Sequence, residues 1–305
     1  MRFGGLRARP DFLPSLGIAL GGVLWGLFWL PIRALGERGL EGAWPGAILY
    51  AACLVVLLPV LPFRWRHLKA NWRPLLYSGL FTGTAFACYA TSLLLTEVVR
   101  TILLFYLTPL WGTLFGVLLL GERLTVIRVS ALALGFAGML VVFGLGVQFP
   151  WPRNLGDWLA LISGVAWAYG SLRLYKMGSG ATLEQILSFV VGGLFVIIIG
   201  LAFGGAVFGS APARETLLAA APFGLLSALY VLPMLVLTIW PASLLSPGRI
   251  GILLMGEIVV GVGSAAFLAG EPFGLREILG TLLIVSAGAV EVFGRRRAAP
   301  GTGKP

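Results

Sequence analysis

Ten runs of about twenty mostly apolar residues, separated by short connections, dominate this chain. A helix rises 1.5 Å per residue, so about 20 such residues cross the roughly 30 Å of bilayer hydrocarbon. Only a helix or a closed barrel satisfies its backbone polar groups there without water. The runs lie at 15–36, 43–62, 74–95, 98–120, 126–147, 157–176, 183–208, 216–240, 248–270 and 275–294. They predict an all-α integral membrane protein with ten transmembrane helices. Composition points the same way: 58% hydrophobic and 11% charged residues are too lopsided to cover a water-facing globule of 305 residues. Little chain is left for a soluble catalytic domain, so any recognition takes place among the helices.

The residue inventory excludes several function classes. Cys53 and Cys88 sit in apolar runs as small hydrophobes, and His67, the one histidine, stands among Arg64, Arg66 and Lys69 in a polar stretch. No cluster for a metal and no base beside a nucleophile is present, so neither an enzyme nor a cofactor is expected. There is no phosphate-binding glycine loop for an ATP-driven pump and no charged ring or carbonyl filter for a channel. The net charge of +10 is scattered in short clusters between apolar runs, which argues against nucleic acid.

Those clusters orient the chain instead. With a cytoplasmic N-terminus and ten spans, sixteen of the 22 Lys and Arg residues fall on the cytoplasmic side, including Arg2, Arg7, Arg9, Arg123, Arg128, Arg249 and Arg295 to Arg297. The other six are Arg33, Arg38, Arg100, Arg153, Arg214 and Arg276. An odd number of spans would put the two basic termini on opposite sides. The first run follows three arginines, as in a signal peptide, but it is long and lacks a small-residue cleavage site, so it reads as a retained helix.

Self-similarity divides the chain in two. Arg100–Glu122 and Arg249–Glu271 are each 23 residues, open with Arg and close with Gly-Glu, and Gly22-Val23-Leu24-Trp25-Gly26 matches Gly164-Val165-Ala166-Trp167-Ala168. The repeat is therefore five spans long. An odd number inserts the second copy upside down, the construction many secondary transporters use around a midplane site. The expected organisation is a cytoplasmic segment 1–14, a first five-helix repeat 15–147, a second inverted repeat 157–294 and a basic cytoplasmic tail 295–305.

With the Gly-Val-x-Trp openings, Tyr106-Leu107-Thr108-Pro109, the Gly121-Glu122-Arg123-Leu124-Thr125 loop, Gly135 and Gly138, residues 15–294 resemble the EamA-type drug/metabolite transporter superfamily. Within it the chain is most similar to the YddG-like aromatic amino-acid exporters. The resemblance implies a bacterial inner-membrane transporter with a cavity enclosed by spans one, three, four, six, eight and nine. Glu257 agrees with the family's Glu-Pro pair, whereas Ile258 stands where the proline matching Pro109 is often found, which places a symmetrical hinge in span nine in question.

Candidate site residues follow from polar and aromatic side chains within the spans. Tyr77, Phe81, Thr84, Cys88 and Thr91 share one face of span three, readable as a cavity wall or as a packing stripe. Span four adds Tyr106, Thr108 and Trp111 around Pro109, a hinge candidate; span six adds Ser163, Trp167 and Tyr169; span eight adds Ser227 and Tyr230 ahead of Pro233, a second hinge candidate. With Trp25 these aromatics would suit a flat apolar solute with one polar end. Trp44, Trp65, Trp72, Trp151, Trp158 and Trp240 lie near span ends, as an interfacial belt does.

Glu257 is the one acid deep in a span, where a carboxylate costs around 2.5–3.5 kcal/mol. It reads either as a proton-coupling cavity carboxylate or as a neutral acid bonded to broken backbone near Gly256. Arg100 and Arg249 offer a charge to a carboxylate, against the simpler reading of snorkelling to the interface. Glu122 with Arg123, and Glu271 with Arg276, read as local loop-capping pairs. The expected function is secondary transport of small amphipathic metabolites, aromatic or other neutral amino acids foremost, outward by alternating access. The rivals are a drug or other metabolite permease of the same fold, an importer included, and a membrane assembly protein that transports nothing. The expected partners are a small-molecule substrate and the lipid bilayer, and the sequence specifies no oligomeric state.

Overall fold

The computed structural model describes residues 11–96, 101, 104–143, 152–269 and 274–293, and within these every apolar run is helical. The terminal segments, Arg100, Trp151 and Glu271 lie outside the described residues. In chain order the helices are α1 Phe12–Gly26, α2 Trp29–Gly36, α3 Trp44–Leu57, α4 Leu61–Ala70, α5 Trp72–Leu95, α6 Thr108–Leu120 and α7 Val126–Phe143. They continue with α8 Leu155–Met177, α9 Thr182–Phe203, α10 Arg214–Ala242, α11 Pro247–Leu254, α12 Gly256–Ala269 and α13 Leu275–Phe293.

Local chemistry sets several of these ends. Pro45, Pro109 and Pro247 occupy first turns, where the missing N–H has no intrahelical partner in any case. Asn154 has extended backbone and its side chain accepts from the Asp157 N–H at 2.8 Å, capping α8, and Asp157 adds a negative charge beside the positive end of the helix. Helix α6 closes on Gly121, whose φ of 66° disfavours any residue with a Cβ, and the Gly116 carbonyl accepts from both Gly121 and Glu122.

Five stretches are long and apolar enough to cross a membrane: Phe12–Gly36, Trp44–Ala70, Thr182–Phe203, Arg214–Ala242 and Pro247–Leu268. Helices α6 and α7 are apolar but shorter, and α5 and α8 are long but carry more hydroxyls and charges. Among the described residues, the second run passes through a 3-10 turn at Leu58–Val60 and three others break at turns. The first breaks at Leu27–Phe28, the fourth at Tyr106–Leu107 and the ninth at Met255. Helix α10 stays unbroken through Pro222 and Pro233.

The helices sort by packing into two groups of four runs. In one, α5 packs on α8 and α9, and α6 packs on α8; in the other, α1 packs on α10, α11 and α12, and α3 packs on α10. The groups meet where α6 crosses α11 and α9 meets α3, while α7 and α13 pair with each other. A Cβ on Gly79 or Gly83 would collide with α9 backbone, so the absence of side chains there lets the two helices approach closely.

Buried charges cross between distant parts of the chain. Arg128, 3% exposed, pairs with Glu122 at 2.6 Å and Glu291 at 3.5 Å and donates to Ser246 at 3.1 Å. Arg249, also buried, reaches Asp11 at 3.1 Å and Ser15 at 2.9 Å, and Arg64 holds the buried Glu184 at 2.7 Å. These pairs differ from the expected local ones. Glu122 bonds Arg128 and not the adjacent Arg123, and Arg276 pairs with Glu277. Arg249 neither snorkels nor faces a solute, because the start of α1 lies beside it and supplies a carboxylate and a hydroxyl.

Candidate functional site

A narrow cavity opens between the two helix groups. Its walls are Trp25 of α1, Ala85, Phe86 and Tyr89 of α5, Phe105, Trp167 of α8, Phe189 of α9, Leu254 of α11 and Glu257 of α12. The wall is mostly ring carbon. Phe86 touches Trp25, Phe28, Tyr50 and Phe189 with centroids 5.1–6.1 Å apart, and Tyr89 stacks on Phe105 at 4.8 Å. Such tilted contacts fix ring orientations and leave flat faces for an apolar guest.

Glu257 is the one charged group in this wall. It is the second residue of α12, immediately beyond the break at Met255, and the Ile258 N–H that follows it donates to the Met255 carbonyl at 3.1 Å. Tyr106, Tyr89 and Tyr230 stand within electrostatic reach of it. No basic side chain bears on it among the described residues. The Tyr106 hydroxyl donates to the Leu254 carbonyl at 3.4 Å, one of the groups freed by the break in the ninth run.

Two rings at equivalent sequence positions face this space. Trp25 donates its indole N–H to Thr238 Oγ1 at 2.9 Å; Trp167 Nε1 is buried with no partner. The glycines three residues before them sit on broken runs. A Cβ on Gly22 would face the Leu253 and Leu254 carbonyls and the Glu257 N–H, and one on Gly164 would face the Leu104 and Phe105 carbonyls and Thr108 Oγ1.

The expected site residues separate into three sets. Trp25, Trp167 and Glu257 line the cavity, and Tyr106 and Tyr230 stand behind the wall beside Glu257. Tyr230 is held there by its hydroxyl, which donates to the Leu24 carbonyl. Thr108, Ser163, Trp111, Tyr169 and Ser227 are not in the wall. Thr108 donates to the Phe105 carbonyl and Ser163 to that of Ala160, so both hydroxyls are spent on their own backbone, and Tyr169 packs against Phe81 and Phe115.

The face of α5 differs from the expected one. Tyr77 is 52% exposed with Arg173 over its ring, and Thr84 lies on that same side, whereas Ala85, Phe86 and Tyr89 turn toward the cavity. Those three and Phe189 were missed, and Phe189 brings in the seventh run in place of the eighth. Phe86 and Tyr89 stand at i, i+3, but so do Phe81 and Thr84 on the other face, and spacing does not choose between the two. Pro109 begins α6 instead of kinking a continuous helix, and Pro233 faces outward from unbroken α10. The ninth run is interrupted at the counterpart of Tyr106 although Ile258 replaces the proline. Of the belt tryptophans, Trp65, Trp72 and Trp158 are exposed, whereas Trp44 and Trp240 are partly covered.

The model of the EamA-like transporter family matches residues 13–144. A probable amino-acid metabolite efflux pump of Escherichia coli K12 is 26% identical over 283 residues, covering 90% of this chain and 93% of that protein. The uncharacterized transporter YvbV of Bacillus subtilis is 29% identical over 202 residues, 64% of this chain, and the chain spans 65% of that protein's length. One solved crystal structure superposes with a TM-score of 0.70 at 20% identity, covering 94% of this chain and 99% of that one, so the two share a fold.

Proposed function

We propose, from the match of residues 13–144 to the EamA-like transporter family and the similarity to an efflux pump over most of the chain, that this protein is a secondary transporter of the bacterial inner membrane, exporting small amphipathic metabolites by alternating access. Aromatic and other neutral amino acids are the favoured substrates, in keeping with the efflux pump to which it is similar. The observation that carries the reading is the cavity between the two helix groups, walled by Trp25, Trp167 and aromatic neighbours with one carboxyl at Glu257. Flat ring faces with a single polar anchor suit a solute of that kind.

Alternating access around ten spans is supported by the pattern of packing. A shift of five runs turns α1 on α10 into α8 on α5, α1 on α11 into α8 on α6, and α3 on α10 into α9 on α5. The contacts of α6 with α11, α3 with α9 and α7 with α13 map onto themselves. The matched surroundings of Gly22 and Gly164 support the same five-run repeat at single-residue resolution. Two groups that each draw helices from both halves are able to rock about the cavity between them. The charge distribution supports cytoplasmic termini.

Counterflow of radiolabelled phenylalanine, tryptophan and threonine in proteoliposomes tests the reading, with and without an imposed pH gradient. Saturable aromatic uptake is expected. If the gradient drives accumulation in the wild type and not in Glu257→Gln, Glu257 carries the coupled proton; uptake indifferent to both identifies a facilitator. Failure of all three amino acids to move would overturn the substrate assignment.

A further inference from the structure

We infer that the cavity recognises its solute by a protonated amine seated on Glu257, so that the ligand class is small aromatic or apolar primary amines and a free carboxylate is not required. This rests on the transport reading above and deepens it by naming the recognised group. The argument begins with the charge inventory of the wall among the described residues: one carboxyl, no basic side chain bearing on it, and eight other residues that are apolar or aromatic. The hydroxyls nearby do not supply a counter-charge, and those of Tyr106 and Tyr230 already donate to backbone carbonyls.

The two halves differ at this point. Offset by the 149 positions that relate Arg100 to Arg249, Glu257 corresponds to Thr108. Thr108 is buried and its hydroxyl is spent on the Phe105 carbonyl, beside Gly164. One half therefore closes this position with packing and the other presents an acid to the cavity. Trp25 and Trp167, by contrast, are retained in both halves and both face the space. The result is one carboxyl in a wall that also holds two indoles.

That arrangement favours an ammonium group twice over, through a charge-assisted hydrogen bond to the carboxylate and through attraction to ring faces. A carboxylate has the opposite fate. Beside Glu257 it meets a like charge, and the donors the wall offers it are neutral ones, the indole N–H of Trp167 and the hydroxyl of Tyr89. An amino acid binds by its ammonium end, with its side chain against the rings.

The test is binding of radiolabelled phenethylamine to the purified full-length protein, competed with phenylalanine methyl ester, phenylalanine, N-acetylphenylalanine and 3-phenylpropionate. The ester and phenylalanine are expected to displace the label, and the two acids lacking an amine are not. Glu257→Gln is expected to weaken phenethylamine binding roughly 10- to 100-fold, and Glu257→Asp to retain part of it. Absence of binding to the wild type, displacement by 3-phenylpropionate as effective as by the ester, or unchanged affinity in Glu257→Gln would each overturn the inference. If Glu257→Gln does not fold, the wild-type competition and Glu257→Asp decide it. A protein that binds phenethylamine but moves no amino acid in counterflow overturns the substrate proposed above and leaves this inference standing. One that moves phenylalanine and N-acetylphenylalanine equally does the reverse.

Discussion

The indole N–H of Trp25 donates to Thr238 Oγ1 across 2.9 Å, joining the cavity wall of α1 to α10, and Thr238 in turn donates to the Met234 carbonyl at 2.7 Å. One hydroxyl thus serves a ring and a helix backbone together. Trp167, the counterpart of Trp25, has no such bond and is held by packing. Thr238→Val removes the bond without changing side-chain volume much. It is expected to cost about 1 kcal/mol of stability and to weaken apparent solute affinity roughly fivefold, read by thermal unfolding and by counterflow.

Gly22 and Gly164 offer a paired test of helix approach. The nearest atom to an added Cβ is at 3.5 Å for Gly22 and at 2.8 Å, a backbone carbonyl, for Gly164. Gly22→Ala is expected to leave stability within about 0.5 kcal/mol of wild type. Gly164→Ala forces α8 away from the fourth run at a cost of about 1–3 kcal/mol, seen as a lower unfolding temperature in detergent.

Arg128 holds two carboxylates, and its loss strands them. Because Arg128 and Glu291 are both nearly inaccessible, Arg128→Met is expected to destabilise by about 3–5 kcal/mol. Arg128→Met combined with Glu291→Gln is expected to recover part of that loss, since no unpaired charge remains at Glu291. Equal destabilisation in the single and double variants would show that the ion pair is not the source.

The two faces of α5 are separable by substitution. Tyr77 is half-exposed and remote from the wall, so Tyr77→Ala is expected to leave transport within about twofold of wild type. Tyr89 lines the wall and stacks on Phe105, so Tyr89→Ala is expected to raise the apparent KM about tenfold. A reversed pattern would return the cavity to the Tyr77 face.

The ten apolar runs, the match of Arg100–Glu122 with Arg249–Glu271 and the matching settings of Trp25 and Trp167 are legible in the sequence, because bilayer thickness sets run length and like residues recur at a fixed offset. Glu257 was legible for a related reason: a lone acid deep in an apolar run stands out wherever it points. The orientation of each helix about its own axis was not. In water an apolar stripe marks the buried face, but in a bilayer the lipid side and the protein side are both apolar, so periodicity does not separate Tyr77 and Thr84 from Phe86 and Tyr89. Hydroxyl positions misled for the same reason, since Thr108 and Ser163 each bond a carbonyl three residues earlier in the chain and need no polar cavity. Nor did local spacing reveal that Arg128, and not Arg123, takes Glu122 and reaches Glu291 as well, or that Arg249 finds Asp11. Sequence by itself determined where the long apolar runs lie and that an acid stands within the ninth of them. Tertiary packing alone decided which faces meet, because the partners that satisfy a buried group come from helices more than a hundred residues away.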